Sequence, residues 1–255
     1  MNTIILHMVD NTTIYTNVKM LVFDMAGTTV NEGGIVYKTL YKTIKDFGIP
    51  ISEHEIDDWH GANKYEVLTY FLTRHITDSN NNNNNNINNL NNLKKQIHSN
   101  FDNNLKLQYS NANNLSLINP DMPSRFNNIR QKGIKICLNT GFNKEIQRII
   151  INKLNMTSFI DDFISSEEVT KGRPHPFMIQ TLSKKHNIPL SAIIKFGDSK
   201  NDILEGQHSK CMASVGVLSG SDSYETLSKA NPDMIIDSVM DIDIDNSFTS
   251  ISETL

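Results

Sequence analysis

The sequence predicts an α/β fold, with a doubly wound parallel sheet and a small helical domain inserted after the first strand. Short runs of β-branched and aromatic residues, typical of strands covered on both faces, alternate with helical periodicity from about Pro123 onward. The first strand alone is followed by about ninety residues, 33–122, before this alternation resumes. A chain of 255 residues exceeds the roughly 100–200 residues of a typical single domain. A core interrupted by an insertion fits both facts.

The predicted strands are buried, uninterrupted apolar runs. They are Met20–Phe23, Ile134–Leu138, Ile193–Phe196, Ala213–Val217 and Met234–Ile236. The helices predicted between them are Lys144–Leu154, Pro176–His186, Asp202–His208 and Tyr224–Lys229. Strands that alternate with helices in this way predict right-handed crossovers and a parallel sheet.

The inserted domain is predicted to be helical. Its expected helices are Val36–Phe47, Glu53–Trp59 and Lys64–His75, with Leu90–Tyr109 as a further candidate. We therefore divide the chain into a core, 1–32 and 123–255, and an inserted domain, 33–122. Gly and Pro cluster at both junctions, as expected of hinges.

An asparagine-rich tract lies inside the inserted domain. The chain contains 33 Asn, and 17 of them fall between Asn80 and Asn114. Such a polar segment buries too little apolar surface to offset its conformational entropy, so we expect a disordered insert at about 78–114. We assign it no chemistry.

Composition and charge exclude several classes of protein. The net charge of -4 argues against a nucleic-acid binder, which needs a basic face. No apolar run is long enough to span a bilayer, and the first residues lack the pattern of a secretory signal, so we expect a cytoplasmic protein with no membrane partner. Cys137 and Cys211 form no disulfide framework, and both are interpreted as packing residues.

Polar and small residues directly follow three predicted strands. Asp24 follows the first strand, Thr140 and Gly141 follow the second, and Asp198 follows Ile193–Phe196. Because the carboxyl ends of parallel strands line the crevice where open α/β sheets bind ligands, these residues are expected at one edge of the sheet.

Further residues near these strand ends complete a candidate site. Gly27 permits a sharp turn after the first strand, and Thr28 offers a hydroxyl and a backbone N–H to an anion. Arg173 supplies a permanent cation, and Asp202 lies one helical turn after the third strand's carboxylate. Carboxylates, a hydroxyl and a cation at one edge predict a site for a phosphoryl group and Mg²⁺.

The order of these motifs resembles the haloacid dehalogenase (HAD) superfamily, whose Rossmann-like core carries a helical cap after the first strand. The resemblance extends from about Lys19 to Asp241. The sequences DMAGTTV, NTGF, EVTKGRPHP and VGVLS look like the phosphonatase branch, whose founding activity is phosphonoacetaldehyde hydrolysis. The inserted domain would then be a C1-type cap.

The resemblance implies a role for each site residue. Asp24 would be the nucleophile and form an aspartyl-phosphate intermediate, and Thr140 and Arg173 would contact the phosphoryl oxygens. The Asp24 and Asp198 carboxylates and the Ala26 carbonyl would surround Mg²⁺, with Asp202 as a supporting acid near the metal. The remaining residues assigned to phosphate or substrate binding are Gly27, Thr28 and Gly141.

Ala26 is the most informative departure from the phosphatases of this superfamily. They carry a second Asp two positions after the nucleophile, where it protonates the leaving alkoxide. In the phosphonatases a cap lysine instead forms a Schiff base with the substrate aldehyde, so that C–P cleavage expels a stabilised enamine. The Gly61-Ala62-Asn63-Lys64 sequence matches the motif of that lysine and makes Lys64 the candidate.

Other positions depart from the phosphonatase pattern. Val67 stands where the phosphonatases have a His three residues after the Schiff-base lysine. His60 stands where they have a Met before the motif's glycine. Phe142 stands where the phosphonatases have a Tyr after the Thr-Gly pair, and Gly34 stands where they have a Cys in the first cap hinge. His60 is either a substitute acid/base group or a packing residue.

Three functions are consistent with these residues. The first is a Mg²⁺-dependent phosphonatase-like hydrolase of a small organic phosphonate. The second is a phosphomonoesterase acting on a small organic phosphate, and the third is a binding protein for phosphorylated ligands without turnover. The expected partner is a small phosphorylated or phosphonate metabolite, and a homodimer would form through the cap.

Overall fold

The computed structural model describes residues 5–8, 11–57, 59, 64–78 and 86–245. Its chain divides into two compact units. The first contains the described residues up to Asn31 and from Ser116 onward, and the second is Glu32–Leu115. Residues 116–122, which we had placed in the inserted domain, lie in the first unit because Ser116–Leu117 pairs with Val30–Asn31.

The strands run in chain order through the first unit. They are β1 (Ile5–Met8), β2 (Asn11–Thr16), β3 (Met20–Asp24), β4 (Val30–Asn31), β5 (Ser116–Leu117), β6 (Lys135–Thr140), β7 (Asp162–Ser165), β8 (Ile193–Gly197), β9 (Ala213–Val217), β10 (Met234–Ile236) and β11 (Ile242–Asp245).

Both units contain helices. They are α1 (Ile35–Asp46), α2 (Glu53–Asp57), α3 (Lys64–Asp78), α4 (Asn86–Asn111), α5 (Met122–Gln131), α6 (Lys144–Lys153), α7 (Phe177–His186), α8 (Lys200–Ser209) and α9 (Tyr224–Ser228).

The first unit is built on a six-stranded parallel sheet, which confirms the predicted α/β fold. Its strand order is β10-β9-β8-β3-β6-β7, so the first predicted strand lies in the middle and all of its residues are buried. The Phe23 ring stacks on Phe126 and Phe196 at centroid distances of 4.8 and 4.7 Å. In the pairing of β3 with β6, Asp24 lies opposite Asn139. The carboxyl ends of these neighbouring strands therefore meet, as the strand-end residues require.

All five predicted strands are present, and several elements were not predicted. The edge strand β7, helix α5 and the antiparallel sheet β11-β1-β2 were missed. The last of these pairs residues from the two ends of the described chain, Ile5 with Asp245, so no local pattern reveals it.

The second unit is helical, as predicted, but the expectation of a disordered insert at about 78–114 is wrong over most of its length. Residues 86–111 form the single helix α4, which packs on α1 and α3. Ile97, Phe101, Leu105 and Tyr109 are buried at a spacing of four residues, which gives the helix one apolar face despite its many Asn. Residues 79–85 of the tract lie outside the described residues.

Trp59 contacts the rings of Tyr70 and Phe71, at centroid distances of 4.8 and 6.0 Å, and thus packs against α3. Cys137 and Cys211 are free cysteines that pack in the apolar core of the first unit. Burial raises the pKa of both thiols, that of Cys211 to about 12, so both are protonated packing residues. Within the described part of the chain, no helix has the length and apolar character needed to cross a membrane.

Asp161, remote from the strand-end residues, supports the start of β6. Its carboxylate accepts hydrogen bonds from Arg130 Nε at 3.1 Å, Lys135 Nζ at 3.0 Å and the Ile136 backbone N–H at 2.9 Å. Burial raises the pKa of Asp161, but these donors outweigh it, so the net pKa lies below its usual value of 3.8. A carboxylate whose pKa is lowered by folding stabilises the protein at a pH above its usual pKa. That stabilisation is lost as the pH falls through the lowered pKa of the folded state.

We therefore expect Asp161→Asn to lower the melting temperature at pH 6 to 7. The difference from wild type should shrink as the pH falls from about 4 towards 3, because the wild-type carboxylate is then protonated. Thermal unfolding followed by circular dichroism across this pH range measures the difference. A constant difference at every pH would contradict the assignment of the stabilisation to the charged carboxylate.

Candidate active site

Asp24 ends the central strand β3 and is buried, with 5% of its surface exposed. The chain then turns tightly: the backbone N–H groups of Thr29 and Val30 donate to the Met25 carbonyl at 2.9 and 2.8 Å. The Thr29 hydroxyl donates to the Asp24 carbonyl at 2.9 Å. This turn carries Ala26, Gly27 and Thr28 past the Asp24 carboxylate and fixes its position.

The loop after β8 presents a second buried carboxylate, Asp198. Its Oδ2 accepts the Ser221 backbone N–H at 2.7 Å, and its Oδ1 accepts the Thr28 hydroxyl at 3.2 Å. Gly27 and Gly220 leave the space around it. A Cβ on Gly27 would lie 2.5 Å from Asp198 Oδ2, so a side chain there would collide with the carboxylate.

Asp202 lies in the first turn of α8 and completes a cluster with Asp24 and Asp198. Ligand oxygens of the three residues lie within 4.8 Å of one another. Both Asp202 oxygens have partners: Oδ1 accepts Lys195 Nζ at 2.8 Å, and Oδ2 accepts the Ser199 hydroxyl at 2.5 Å. Both oxygens of Asp202 are therefore already used within the protein.

Burial and mutual repulsion govern the pKa values in this cluster. Burial, followed by the negative charges of Asp24 and Asp202, raises the pKa of Asp198 to about 7. Burial also raises the pKa of Asp24, although the positive charge of Arg173 opposes this shift. The pKa of Asp202 is lowered, because Arg173 and Lys195 outweigh its burial. Carboxylates held this close to one another favour a bound cation.

Arg173 is the cation that the strand-end carboxylates share. Its Nη1 donates to Asp24 Oδ1 at 2.6 Å and lies 3.0 Å from Asp202 Oδ1. Its Nη2 donates to the backbone and side-chain oxygens of Asn139 at 2.9 and 2.7 Å, and Nε donates to Glu205 Oε2 at 3.0 Å. We had expected Arg173 on the phosphoryl oxygens, but each guanidinium nitrogen already faces a protein acceptor. In the structure its Nη1 binds Asp24 instead.

Three residues of this network were missed as site residues by the sequence analysis. Lys195 is completely buried and donates to Asn139 Oδ1, the Phe196 carbonyl and Asp202 Oδ1, at 3.0, 2.9 and 2.8 Å. Glu205 is also completely buried and accepts both Asn139 Nδ2 and Arg173 Nε. A lysine inside an otherwise apolar strand and a glutamate three residues after Asp202 were the available signals.

The remaining first-unit residues of the predicted site differ in what they offer a ligand. The Thr28 hydroxyl is used by Asp198, and its backbone N–H donates to the Met25 carbonyl at 3.2 Å, so the geometry does not support Thr28 as an anion donor. Thr140 is buried, and its Oγ1 accepts the Phe142 backbone N–H at 3.3 Å. Gly141 is exposed, with open space where a Cβ would lie.

Lys64 belongs to the second unit, where it begins α3. Its Nζ donates to the Tyr37 hydroxyl at 2.9 Å and lies 4.4 Å from the centre of that ring. Nearby, Glu32 accepts hydrogen bonds from the Val36 backbone N–H at 3.0 Å and the Tyr109 hydroxyl at 3.2 Å. Burial raises the pKa of Glu32, against the effect of these donors and of the Lys64 charge. The amine therefore has a phenol as its direct partner and a carboxyl group in its field.

The departures from the phosphonatase pattern are also placed by the structure. Val67 is completely buried, as expected of an apolar substitute at a helix position. Phe142 is half-buried, and Gly34 precedes α1 with a left-handed φ of 75°. His60 and residues 61–63 lie outside the described residues.

Comparison with known proteins identifies the family. The sequence profile of the haloacid dehalogenase-like hydrolases matches residues 21–216, which include the whole acidic cluster. The chain belongs to this family.

Curated relatives of this hydrolase have two different activities in their names. A phosphoglycolate phosphatase of Vibrio parahaemolyticus is 23% identical over 227 residues, which cover 89% of this chain and 95% of the relative. A phosphonoacetaldehyde hydrolase of Bacillus cereus is 24% identical over 208 residues, covering 80% and 77%. The alignments therefore support a hydrolase and leave the bond it cleaves to be decided by its residues.

Solved structures agree on the fold. A phosphonoacetaldehyde hydrolase like protein from Oleispira antarctica matches with a TM-score of 0.71 and 20% identity, over 91% of this chain and 93% of that one. A hydrolase from Pseudomonas syringae matches with a TM-score of 0.68 and 16% identity, over 88% and 95%. At these identities the likeness establishes the HAD fold alone.

A pair of glycines tests how closely the hydrolase packs its backbone around Asp198. Gly27 and Gly133 have similar left-handed φ values of 86° and 83°, but a Cβ on Gly133 would meet no atom within 4 Å. Gly133→Ala should therefore cost only the backbone strain, about 1–2 kcal/mol, or a fall of about 2–4 °C or more in melting temperature. Gly27→Ala adds the collision with Asp198, so we expect at least about twice that fall.

Thermal unfolding of both variants beside wild type measures the two effects. Equal losses would show that Asp198 can move aside without cost, contrary to the packing described above.

Proposed function

We propose that this protein is a Mg²⁺-dependent, phosphonatase-like hydrolase that cleaves the C–P bond of a small organic phosphonate through an aspartyl-phosphate intermediate on Asp24. The acidic cluster supports the phosphoryl half of this proposal. The alanine at position 26 supports the choice of bond. The named relatives support the wider class of small phosphorylated and phosphonate substrates.

The charge balance of the strand-end site fits a divalent cation. Four buried carboxylates, those of Asp24, Asp198, Asp202 and Glu205, share this site with two cations, the buried Lys195 and the partly buried Arg173. With every carboxylate ionised, two negative charges remain without a partner. Since carboxylate and carbonyl oxygens are the ligands that Mg²⁺ prefers, Asp24, Asp198 and the Ala26 carbonyl would hold it, with Asp202 alongside.

The chain's own residues prepare Asp24 for attack. Arg173 binds Oδ1 of the carboxylate, where its positive charge opposes the effect of burial on the Asp24 pKa, and leaves the second oxygen to attack the reacting phosphorus. Bound Mg²⁺ would neutralise the repulsion between this carboxylate and the phosphoryl group. The buried Thr140 would offer its hydroxyl to the phosphoryl oxygens, and the exposed Gly141 leaves open space beside it. Attack forms the Asp24 acyl phosphate, which water then hydrolyses.

Ala26 is the observation that carries the choice of bond. It follows the nucleophile by two residues and cannot donate a proton to a leaving alkoxide. The other two acids of the cluster, Asp198 and Asp202, already serve as hydrogen-bond acceptors. A leaving group that departs as a stabilised enamine needs no acid at position 26, and this favours a phosphonoaldehyde.

The arrangement around Lys64 agrees with such a substrate. Schiff-base formation needs a neutral amine and a proton donor for the hydroxyl group that leaves the carbinolamine. The Tyr37 hydroxyl lies 2.9 Å from Lys64 Nζ, close enough to exchange a proton with it. We therefore include Lys64 as the amine and Tyr37 as its proton partner in the proposal.

A phosphomonoesterase is the second candidate, because phosphoglycolate phosphatases are among the curated relatives. This activity would use Asp24, Mg²⁺ and Arg173 in the same way. It would require a proton donor that replaces the acid missing at Ala26.

A substrate comparison tests the proposed function. With Mg²⁺ present, we expect phosphate release from phosphonoacetaldehyde to exceed release from phosphoglycolate. Chelation of the metal should stop it, and Mg²⁺ should restore it. Asp24→Asn removes the nucleophile and should lower turnover by about 10³-fold or more. Phosphate release measures each effect. Lys42→Ala, a substitution at the exposed Lys42–Asp46 ion pair, is the control.

Ala26→Asp separates the two candidate functions. If the native reaction is ester hydrolysis, the new acid should raise turnover of phosphoglycolate sharply. If the native reaction is C–P cleavage, it should leave phosphonoacetaldehyde turnover unimproved. Preferred turnover of phosphoglycolate by the wild type would overturn the phosphonatase proposal and favour the second candidate.

Borohydride trapping tests Lys64. Incubation with phosphonoacetaldehyde and borohydride should fix a covalent adduct on Lys64, found by peptide mass spectrometry, and inactivate the enzyme. Lys64→Ala should remove the adduct and lower turnover by about 10³-fold, and Tyr37→Phe should slow trapping. Lys42→Ala is the matched control from the same unit. An unmodified Lys64 together with full turnover by Lys64→Ala would eliminate the Schiff-base step.

A further inference from the structure

The orientation of the Arg173 guanidinium determines which of its edges faces Asp24. A free guanidinium can turn about its side-chain torsions and present any of its N–H groups to a carboxylate. Here Nη1 faces Asp24, and the other two nitrogens face away from it. Some other group must select this orientation, because Asp24 alone would accept any edge.

Glu205 and Asn139 occupy those other two nitrogens. Glu205 Oε2 accepts Nε at 3.0 Å, while the Asn139 carbonyl and Oδ1 accept Nη2 at 2.9 and 2.7 Å. The two residues also bind each other, since Asn139 Nδ2 lies 3.0 and 2.8 Å from the two Glu205 oxygens. The guanidinium thus fits into an acceptor frame that admits one orientation.

We infer that Glu205 is a positioning residue that, with Asn139, locks Arg173 in the orientation that holds Asp24 for attack. The inference rests on the proposed function of Asp24 as nucleophile. Glu205 lies on α8 and touches the nucleophile only through Arg173.

The burial of Glu205 supports a dedicated role. An ionised carboxylate with no exposed surface costs several kcal/mol unless it is paired and hydrogen-bonded. The chain supplies Asn139, Arg173 and, at 3.8 Å from Oε2, the buried Lys195 to offset that cost. Apolar side chains in place of the buried charged ones would fill the same space with no charge to offset. Without Glu205, however, Nε of Arg173 would have no acceptor.

Glu205→Gln tests the inference, with Asp161→Asn as the matched control for loss of a buried, ion-paired carboxylate. The glutamine can place its amide oxygen at the position of Oε2, but its NH₂ group then replaces Oε1 and faces the Asn139 Nδ2 donor, and the negative charge that pairs with Arg173 is lost, so the frame opens. We expect kcat to fall about 10- to 100-fold with KM within about twofold, because Glu205 does not touch substrate. Asp161→Asn should lose stability but keep its kcat.

A second measurement does not depend on knowing the substrate. The beryllium fluoride complex, a phosphate mimic that adds to a carboxylate, should stabilise the wild type against heat in the presence of Mg²⁺. Its apparent affinity, from calorimetric titration, should be about 10-fold or more weaker for Glu205→Gln and unchanged for Asp161→Asn. Crystal structures of the two variants should show Nη1 of Arg173 displaced from Asp24 only in the first.

The outcomes separate the inference from the proposed function. A wild type that turns over no substrate and binds no beryllium fluoride would refute the proposed function. A Glu205→Gln variant with wild-type kcat, mimic affinity and Arg173 position would refute the inference alone. If Glu205→Gln fails to fold, Glu205→Asp keeps the charge but withdraws the carboxylate by one methylene, and the same loss of kcat is expected. Full activity of Glu205→Asp would then overturn the inference.

Discussion

The burial of charge at the carboxyl ends of three parallel strands is the constraint on which the rest of the site depends. Asp24, Asp198 and the supporting Asp202 come within 4.8 Å of one another in a region where an unpaired ion costs several kcal/mol. Arg173 and Lys195 offset part of that cost through contacts with every one of their nitrogens. The charge that remains is the reason for proposing a divalent metal.

The parallel sheet makes this concentration of charge possible. β3 lies between β6 and β8, and Asp24 is in register with Asn139, so the strand ends deliver their polar residues to the same level. The flanking loops then have to come close. Gly27 provides both a left-handed turn and the missing side chain that lets the loop approach Asp198. The sheet determines where the carboxylates lie, and the loops determine how little water reaches them.

The sequence predicts much of this arrangement, and the rest escapes it for physical reasons. Buried strands followed by Asp24 and Asp198 are visible because apolar runs and strand-end carboxylates are local patterns. The role of Lys195 could not be predicted, because lysine is almost never fully buried. A single charge in an apolar run therefore normally indicates that the strand has been assigned wrongly, not that the charge has a buried partner. Helix α4 was predicted only as the candidate Leu90–Tyr109, because its apolar face appears only every fourth residue among many Asn.

Long-range pairing is the other part that sequence reasoning cannot reach. The antiparallel sheet of β1, β2 and β11 joins residues more than two hundred positions apart in the chain. None of the three segments has a strong strand pattern on its own. The same limit applies to the site. The five residues that surround the Arg173 guanidinium network come from β3, β6, β8 and α8, and their contacts depend on the register of the whole sheet.

Ala26 connects the two halves of the proposed chemistry. Transfer of a phosphoryl group to Asp24 is equally suited to a phosphate ester and a phosphonate, because both would present the same oxygens to Thr140 and a metal. The bond that breaks depends on how the leaving group's charge is accommodated, and the chain has an alanine where an acid would protonate an alkoxide. It does retain an amine with a phenol 2.9 Å away in its second unit, the groups that an enamine leaving group requires. The missing acid and the retained amine therefore favour the same bond, between carbon and phosphorus.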